Sequence, residues 1–314
     1  MEENIINVTT NMSTNQNYTN SAIETFNYIL KNVFLSIDDN IYGLLDDIAF
    51  IDSEIIKSSI FEKIVNNTSG ILLIGNALIL GVIIFYSINY LFSHLFISKM
   101  DSPSQFIFKL IIFTILMNSS FWICEQIINI VDIITQIIRG IGKDIFSKDV
   151  SFSNLVFNIN TLLYTEDFEI TMLSFEGIIK SFISVGFINL IFSHSLRYIM
   201  IQVFVIISPF AFLCLINTKT EWFFKIWIKT FLSLLLEQVL IVLILLLAFT
   251  LENGIDEKLA KLLYVGIMHA LIKTNNYMYM LFGGISTSVQ NNINSLRKMN
   301  GQMYWNKKML INII

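Results

Sequence analysis

The chain has 314 residues, of which 54% are hydrophobic and only 14% charged, with a formal net charge of −4 and two prolines. Together with a mean hydropathy of +0.67, this composition excludes an ordinary soluble globular domain, in which charged residues are nearly twice as frequent. The two cysteines, Cys124 and Cys214, fall inside apolar stretches, so neither a disulfide framework nor a zinc site is expected and no cofactor is implied.

Residues 1–20 form an Asn/Thr-rich polar tract with no basic head and apolar core, so no cleavable signal peptide is expected and membrane entry falls to internal spans. The sequons Asn7-Val8-Thr9 and Asn17-Tyr18-Thr19 are what chance produces in such a tract. Residues 22–37 place Ile23, Phe26, Ile29, Leu30, Val33, Phe34 and Ile37 on one helical face. Residues 41–64 repeat the habit with Ile41, Leu44, Leu45, Ile48, Ile55, Ile56, Ile60 and Ile64. Such faces need an apolar partner, which is the membrane surface, the rest of the same chain or another subunit.

Five apolar stretches follow, at residues 69–92, 105–131, 178–216, 226–250 and 261–285, each long enough to cross a hydrocarbon core that takes about 20 helical residues. The fold class expected is therefore all-α: a polytopic membrane protein with about five transmembrane helices, plus extracytoplasmic amphipathic helices. The third stretch would run about 58 Å as one helix, nearly twice the core thickness. It is either one unusually long helix or two spans folded at Ser193-His194-Ser195.

Charge separates the two, because Lys and Arg concentrate in short cytoplasmic loops. With five spans and an external amino terminus, the inside segments 93–109, 217–229 and 286–314 hold nine Lys or Arg against two acids. The outside segments 1–68, 139–177 and 251–261 hold eight against nineteen. Six spans would place the Lys219, Lys225 and Lys229 cluster outside, so one long helix is expected. Trp222 and Trp227 beside that cluster are placed as headgroup anchors. The domains that result are an extracytoplasmic region 1–68, a transmembrane domain 69–285 with an external loop 139–177, and a basic cytoplasmic tail 286–314. That loop carries Phe152, Leu155, Phe157, Leu162 and Tyr164 and is expected to be folded or docked.

No phosphate loop, dinucleotide fingerprint or zinc-protease motif occurs, and His94, His194 and His269 are far apart, so no enzyme is expected. Glu166, Asp167 and Glu169 match no known cation loop and read as a solvated acidic turn. Charges inside the spans carry more information, since an unpaired charge in lipid is expensive. Glu125 and Asp132 share a face of the second span, Arg197 lies in the third, Glu237 and Gln238 in the fourth and Lys273 in the fifth. Glu237 is expected to pair between helices with Lys273 or with Arg197. Such a pair is either glue that fixes helix register or part of a proton or ion pathway. The outer part of the third stretch projects beyond the bilayer, and Ile183, Gly186, Phe187 and Leu190 are its expected contacts with another subunit.

The runs Ile207-Ser208-Pro209-Phe210-Ala211-Phe212 and Thr218-Lys219-Thr220-Glu221-Trp222-Phe223-Phe224-Lys225-Ile226-Trp227 resemble the TrbL family of polytopic subunits from type IV secretion (conjugation) machines. Leu281-Phe282-Gly283-Gly284-Ile285-Ser286-Thr287 looks like that family's closing segment in versions from Gram-positive elements. The resemblance covers residues 178–290. It implies a membrane-platform subunit of a translocation channel in a bacterial cell membrane, with an external amino terminus and a cytoplasmic carboxyl terminus. It further implies partner ATPases, assembly with other channel subunits and with copies of itself, contact with membrane lipid, and transient contact with transferred DNA or protein. A small-solute or ion transporter using Glu237 and Lys273 is the alternative, although no internal repeat of the transporter kind is visible.

Overall fold

The computed structural model of the protein describes residues 21, 24–29, 32–34, 36, 43–65, 70–96, 102–163, 174–252 and 256–282. Gly283 and Gly284, the basic tail, the two sequons and the acids Glu166, Asp167 and Glu169 lie outside them. The described elements are helical: α1 (Ser59–Val65), α2 (Ile71–Phe96), α3 (Pro103–Asn118), α4 (Ser120–Phe146), α5 (Phe152–Leu163), α6 (Phe175–Leu213), α7 (Glu221–Phe249) and α8 (Glu257–Phe282), with 3-10 turns at Ser53–Ile56, Cys214–Ile216 and Thr250–Glu252. Four segments are long and apolar enough to cross a membrane: Ile71–Phe92, Ser120–Phe146, Phe175–Ile216 and Glu221–Phe249. This is the architecture of an all-α, multi-pass membrane protein.

The 39 residues of α6 form one helix that runs unbroken through Ser193-His194-Ser195. A hairpin is not needed there because Ser193 and His194 are buried against other helices and need no loop. The helix starts where the Ser174 hydroxyl accepts the Gly177 amide at 3.1 Å, satisfying one of the orphan donors of the first turn. α6 is the pillar of the fold, packing against α2, α3, α4, α7 and α8.

Two expected spans differ from their sequence bounds. The stretch 105–131 is interrupted at Ser119 (φ −91°, ψ 3°), and α3, with 16 residues, reaches only about 24 Å. The crossing helix is α4, whose last residues, from 139 to 146, fall within the stretch 139–177 expected as an external loop. Apolar length alone does not register the polar break Asn118-Ser119-Ser120. Asn118 serves there as a link, exchanging hydrogen bonds with Asn76 of α2 at 3.3 and 3.4 Å. The last expected span is a 26-residue helix, but it is not among the four apolar crossings. Lys261, His269, Lys273, Asn275 and Asn276 interrupt its apolar surface.

The amphipathic stretch 41–64 is not one helix. Residues 43–49 are helical, Ile51 is neither helix nor strand, Asp52 is extended, Ser53–Ile56 turn as 3-10 and α1 follows. Asp52 caps the 3-10 turn by accepting the Glu54 amide at 2.8 Å. Its apolar partner is the chain itself: Leu45, Ala49, Ile51, Ile55 and Ile56 are buried, whereas Leu44, Ile60 and Ile64 are exposed. The loop 139–177 is folded as expected in its described part, where α5 packs against α7 and α8 and buries Phe152, Leu155, Val156 and Ile159.

Burial divides into two apolar clusters along the pillar. The first gathers Leu45 and Ala49, α5, the first half of α6, the second half of α7 and Tyr264 to Leu271 of α8. The second gathers Ile51 to Phe61, parts of α3 and α4, the second half of α6 and the first half of α7. The expected intersubunit set belongs to the first cluster and is corrected by it: Ile183, Phe187 and Leu190 are each 1% exposed and Gly186 is buried. A Cβ on Gly186 would stand 2.6 Å from Met268 Cγ and 3.4 Å from Ile272 Cδ1, so the absent side chain lets α8 of the same chain approach. The outward face of this part of α6 is instead Ile178, Phe182, Val185 and Phe192.

Gly142 marks the tightest approach. A Cβ there would lie 2.2 Å from Val150 Cγ2 and 2.9 Å from Leu246 Cδ1, because the chain turns back at Ser147 in the left-handed region (φ 55°). Val150 is β-branched and stiff, so it yields poorly. Gly142→Ala is therefore expected to destabilise the protein by about 1–3 kcal/mol, with partial recovery when Val150→Ala is added. Gly140, whose Cβ direction is open, is the control: Gly140→Ala should raise stability by up to about 1 kcal/mol. Unfolding midpoints in detergent measure both, and equal losses at the two positions would show that the Gly142 contact is slack.

Candidate functional site

Between the two apolar clusters lies a buried polar layer. It is built from His194 and Arg197 of α6, Glu237 and Gln238 of α7, and Thr274 and Asn275 of α8, all 3% exposed or less. The register of each helix puts them there. In α8, Leu271, Thr274, Asn275 and Met278 follow the spacing i, i+3, i+4, i+7 of one face and are all buried. Lys273 is off that face and half-buried.

Arg197 is the largest fully buried side chain of the protein. Its Nη2 donates to the carbonyls of Ala49 and Ile48, and its charge interacts with that of Glu237. Glu237 accepts from Asn275 Nδ2 at 3.2 Å and from Thr274 Oγ1 at 3.4 Å, and His194 Nδ1 stands 3.8 Å from its Oε1. Both nitrogens of His194, with Nε and Nη1 of Arg197, make no hydrogen bond among the described residues. Neither expected partner, Arg197 nor Lys273, forms an ion pair with Glu237 among the described residues; Arg197 shares its buried layer but donates to backbone carbonyls. The contacts from α8 come from the residues beside Lys273 rather than from Lys273.

The same layer grips the segment Asp46–Ile56. Gln238 reads the backbone of Ile51 twice, accepting its N–H at 3.1 Å and donating to its carbonyl at 3.4 Å. Gln202 donates to the Ile55 carbonyl at 3.4 Å. At the other end, Asp46 accepts the Phe152 and Ser153 amides at 2.8 and 3.2 Å and the Ser153 hydroxyl at 2.7 Å, which caps α5. Irregular backbone at Ile51 therefore finds its partners in side chains, as non-helical backbone inside a membrane protein must.

The remaining sequence candidates are dispersed. Glu125 forms an ion pair with Lys57 at 3.1 Å at the rim of the segment. Trp222 is 60% exposed at the turn before α7, whereas Trp227 is buried. Pro209, buried inside α6, has no N–H to give the Val205 carbonyl. One residue earlier in that loosened turn, the Phe204 carbonyl accepts the Trp227 indole N–H at 2.9 Å. Trp227 also stacks on Phe231 and tilts against Phe212 and Phe224 at centroid distances of 5.4 to 5.7 Å. Trp227 is thus part of the packing between α6 and α7, buried at 2% exposure, and is not a headgroup anchor.

Sequence reasoning missed His194, Asp46, Gln202 and Asn275 as members of one network. For Asn275 the signal was present in the helical spacing from Leu271 to Met278. For Asp46 and Gln202 there was none, since their partners lie 106 and 147 residues away in the chain. Among the described residues no group of three or more His, Cys, Asp or Glu is placed to hold a metal ion. The layer offers charge neutralisation and backbone recognition in a dry interior.

Glu237 anchors buried donors from α8. Glu237→Gln is expected to lower stability by about 1–3 kcal/mol, and Lys273→Gln to change it by no more than about 0.5 kcal/mol. Unfolding in mixed micelles checks both, and comparable losses would return Lys273 to the network.

No known protein family, curated protein or solved structure matches this chain.

Proposed function

We propose that this chain is a membrane-platform subunit of a conjugative type IV secretion channel in a bacterial cell membrane, where it helps DNA-protein substrate cross. The observation that carries the reading is the joint between α6 and α7. The motif residue Trp227 of α7 donates its indole N–H to the Phe204 carbonyl of α6, five residues before the motif residue Pro209, so the two motif runs fall on one stretch of the α6–α7 packing. The buried charges support a scaffold as well, because Arg197 and Gln238 are engaged in holding the chain's own backbone.

The orientation proposed counts α8 as a fifth crossing beside the four apolar ones and has the amino terminus outside and the carboxyl terminus in the cytoplasm, following the excess of Lys and Arg in the inside segments. Energy comes from partner ATPases. The subunit assembles with other channel components and with copies of itself, its apolar perimeter meets lipid, and contact with transferred DNA or protein is transient. A small-ion transporter is the second reading, favoured by the unpartnered nitrogens of His194 and Arg197 beside Glu237 in the middle of the spans.

Deleting the gene from a donor cell is expected to abolish conjugal DNA transfer while leaving uptake and efflux of small ions unchanged. Transfer at the parental frequency would sink the secretion reading. Ion flux that disappears with Glu237→Gln would favour the transporter. In intact cells free of native cysteines, Asn40→Cys and Asp149→Cys should react with an impermeant thiol reagent and Asn300→Cys should not. Labelling at 300 together with 40 would mean an even number of spans and overturn the proposed cytoplasmic carboxyl terminus.

A further inference from the structure

We propose that Asp46–Ile56 is a strap that seals a polar passage between α4, α6 and α7, and that its withdrawal opens the passage to water. Three features of the contacts lead there. The strap has little conformational stability of its own, since a few helical residues, an irregular pair and one 3-10 turn are each too short to persist alone. Its shape is imposed by the groove.

The groove, in turn, recognises it through the backbone. Arg197 takes the carbonyls of Ile48 and Ala49, Gln238 takes both polar atoms of Ile51, and Gln202 takes the Ile55 carbonyl. These three side chains come from the membrane-crossing helices α6 and α7. Without the strap they would line the cleft together with Glu237 and His194 as unsatisfied polar groups, which only water can satisfy at that depth. Closed, the strap covers them; open, it leaves a hydrated polar path.

The fastenings at the edges are weak. Lys57 and Glu125 pair while 53% and 28% exposed, a setting in which an ion pair contributes little. Arg139 rests over the Phe50 ring at 4.9 Å from its centroid, and Asp46 holds the end of α5. The strap is thus held by polar groups at its centre and by burial of Ala49, Ile51, Ile55 and Ile56 in the two apolar clusters, and its rim fastenings are the contacts that open first.

The test uses the full chain with Cys124→Ala and Cys214→Ala, reconstituted in liposomes loaded with potassium. Asp46→Cys with Ser153→Cys provides a disulfide lock in place of a hydrogen bond of 2.7 Å; reduced, the pair also removes the Asp46 fastening. Ser53→Cys, at a buried strap position, reports exposure through its reaction with a small methanethiosulfonate, followed by mass spectrometry of its peptide. Reduction of the lock is expected to speed that reaction by at least about tenfold and to raise potassium efflux, and oxidation should return both to the protein-free or unreacted level. Lys57→Ala without the lock is the second variant, with a smaller rise in both. Equal labelling in the oxidised and reduced forms would overturn the strap, and faster labelling without added efflux would overturn the passage. Either failure leaves the secretion reading intact, because that reading rests on DNA transfer.

Discussion

A guanidinium buried between two apolar clusters is the constraint around which the rest of this protein is arranged. Arg197 is completely buried, and moving an unpaired cation into such surroundings costs several kcal/mol even after relaxation. The fold meets that cost from two directions. Glu237 of α7 lies in the same buried layer, and the carbonyls of Ile48 and Ala49 supply acceptors from a segment that would otherwise have no reason to lie inside the bundle. The segment, once inside, presents its own unpaired backbone at Ile51, and Gln238, the neighbour of Glu237, satisfies it. One buried charge thus explains why the chain's early residues are interior.

The layer also orders the helices around it. α6 and α7 are antiparallel and joined by a short turn, and two different joints hold them in register: the polar layer at mid-length and the Trp227 contact with the Phe204 carbonyl nearer the turn. At the far end, Lys261 of α8 bridges Glu176 at the start of α6 and Glu257 of its own helix at 3.3 and 2.7 Å. Lys180 donates to Asn160 of α5 at 2.7 Å. Apolar packing is non-directional and would tolerate sliding of such long helices. Polar contacts at three levels define a single axial position.

What lies outside this frame is apolar and exposed. Leu80, Ile84, Phe85 and Leu91 on α2, and Ile130, Ile133, Ile137 and Ile145 on α4, all project outward. In a bilayer such faces are as well solvated by lipid chains as by protein, so exposure here is a consequence of environment. The same reasoning explains why apolarity alone misplaced the intersubunit contacts: on α6 both the buried face and the outward face are rich in Ile, Val and Phe.

Length, composition and periodicity determined by themselves that the chain is helical and multi-pass; loop charge favoured one long α6 over a hairpin, and the position of Glu237 within an apolar run marked it as a charge inside a span. Each of these follows from a property carried along the chain: apolar run length against bilayer thickness, loop charge, and the cost of ionised groups in lipid. Tertiary structure decided which groups those charges meet. Helical spacing could have selected Asn275 over Lys273, but nothing local distinguishes an amphipathic helix at 41–64 from a strap drawn into the interior. Nor does anything local distinguish Gly186 as a site of approach by α8 from a site of approach by another subunit. Those outcomes depend on partners more than a hundred residues away, such as Arg197 for Ala49 and Gln238 for Ile51. A sequence pattern records how apolar a face is, and only the packed fold assigns the surface that covers it.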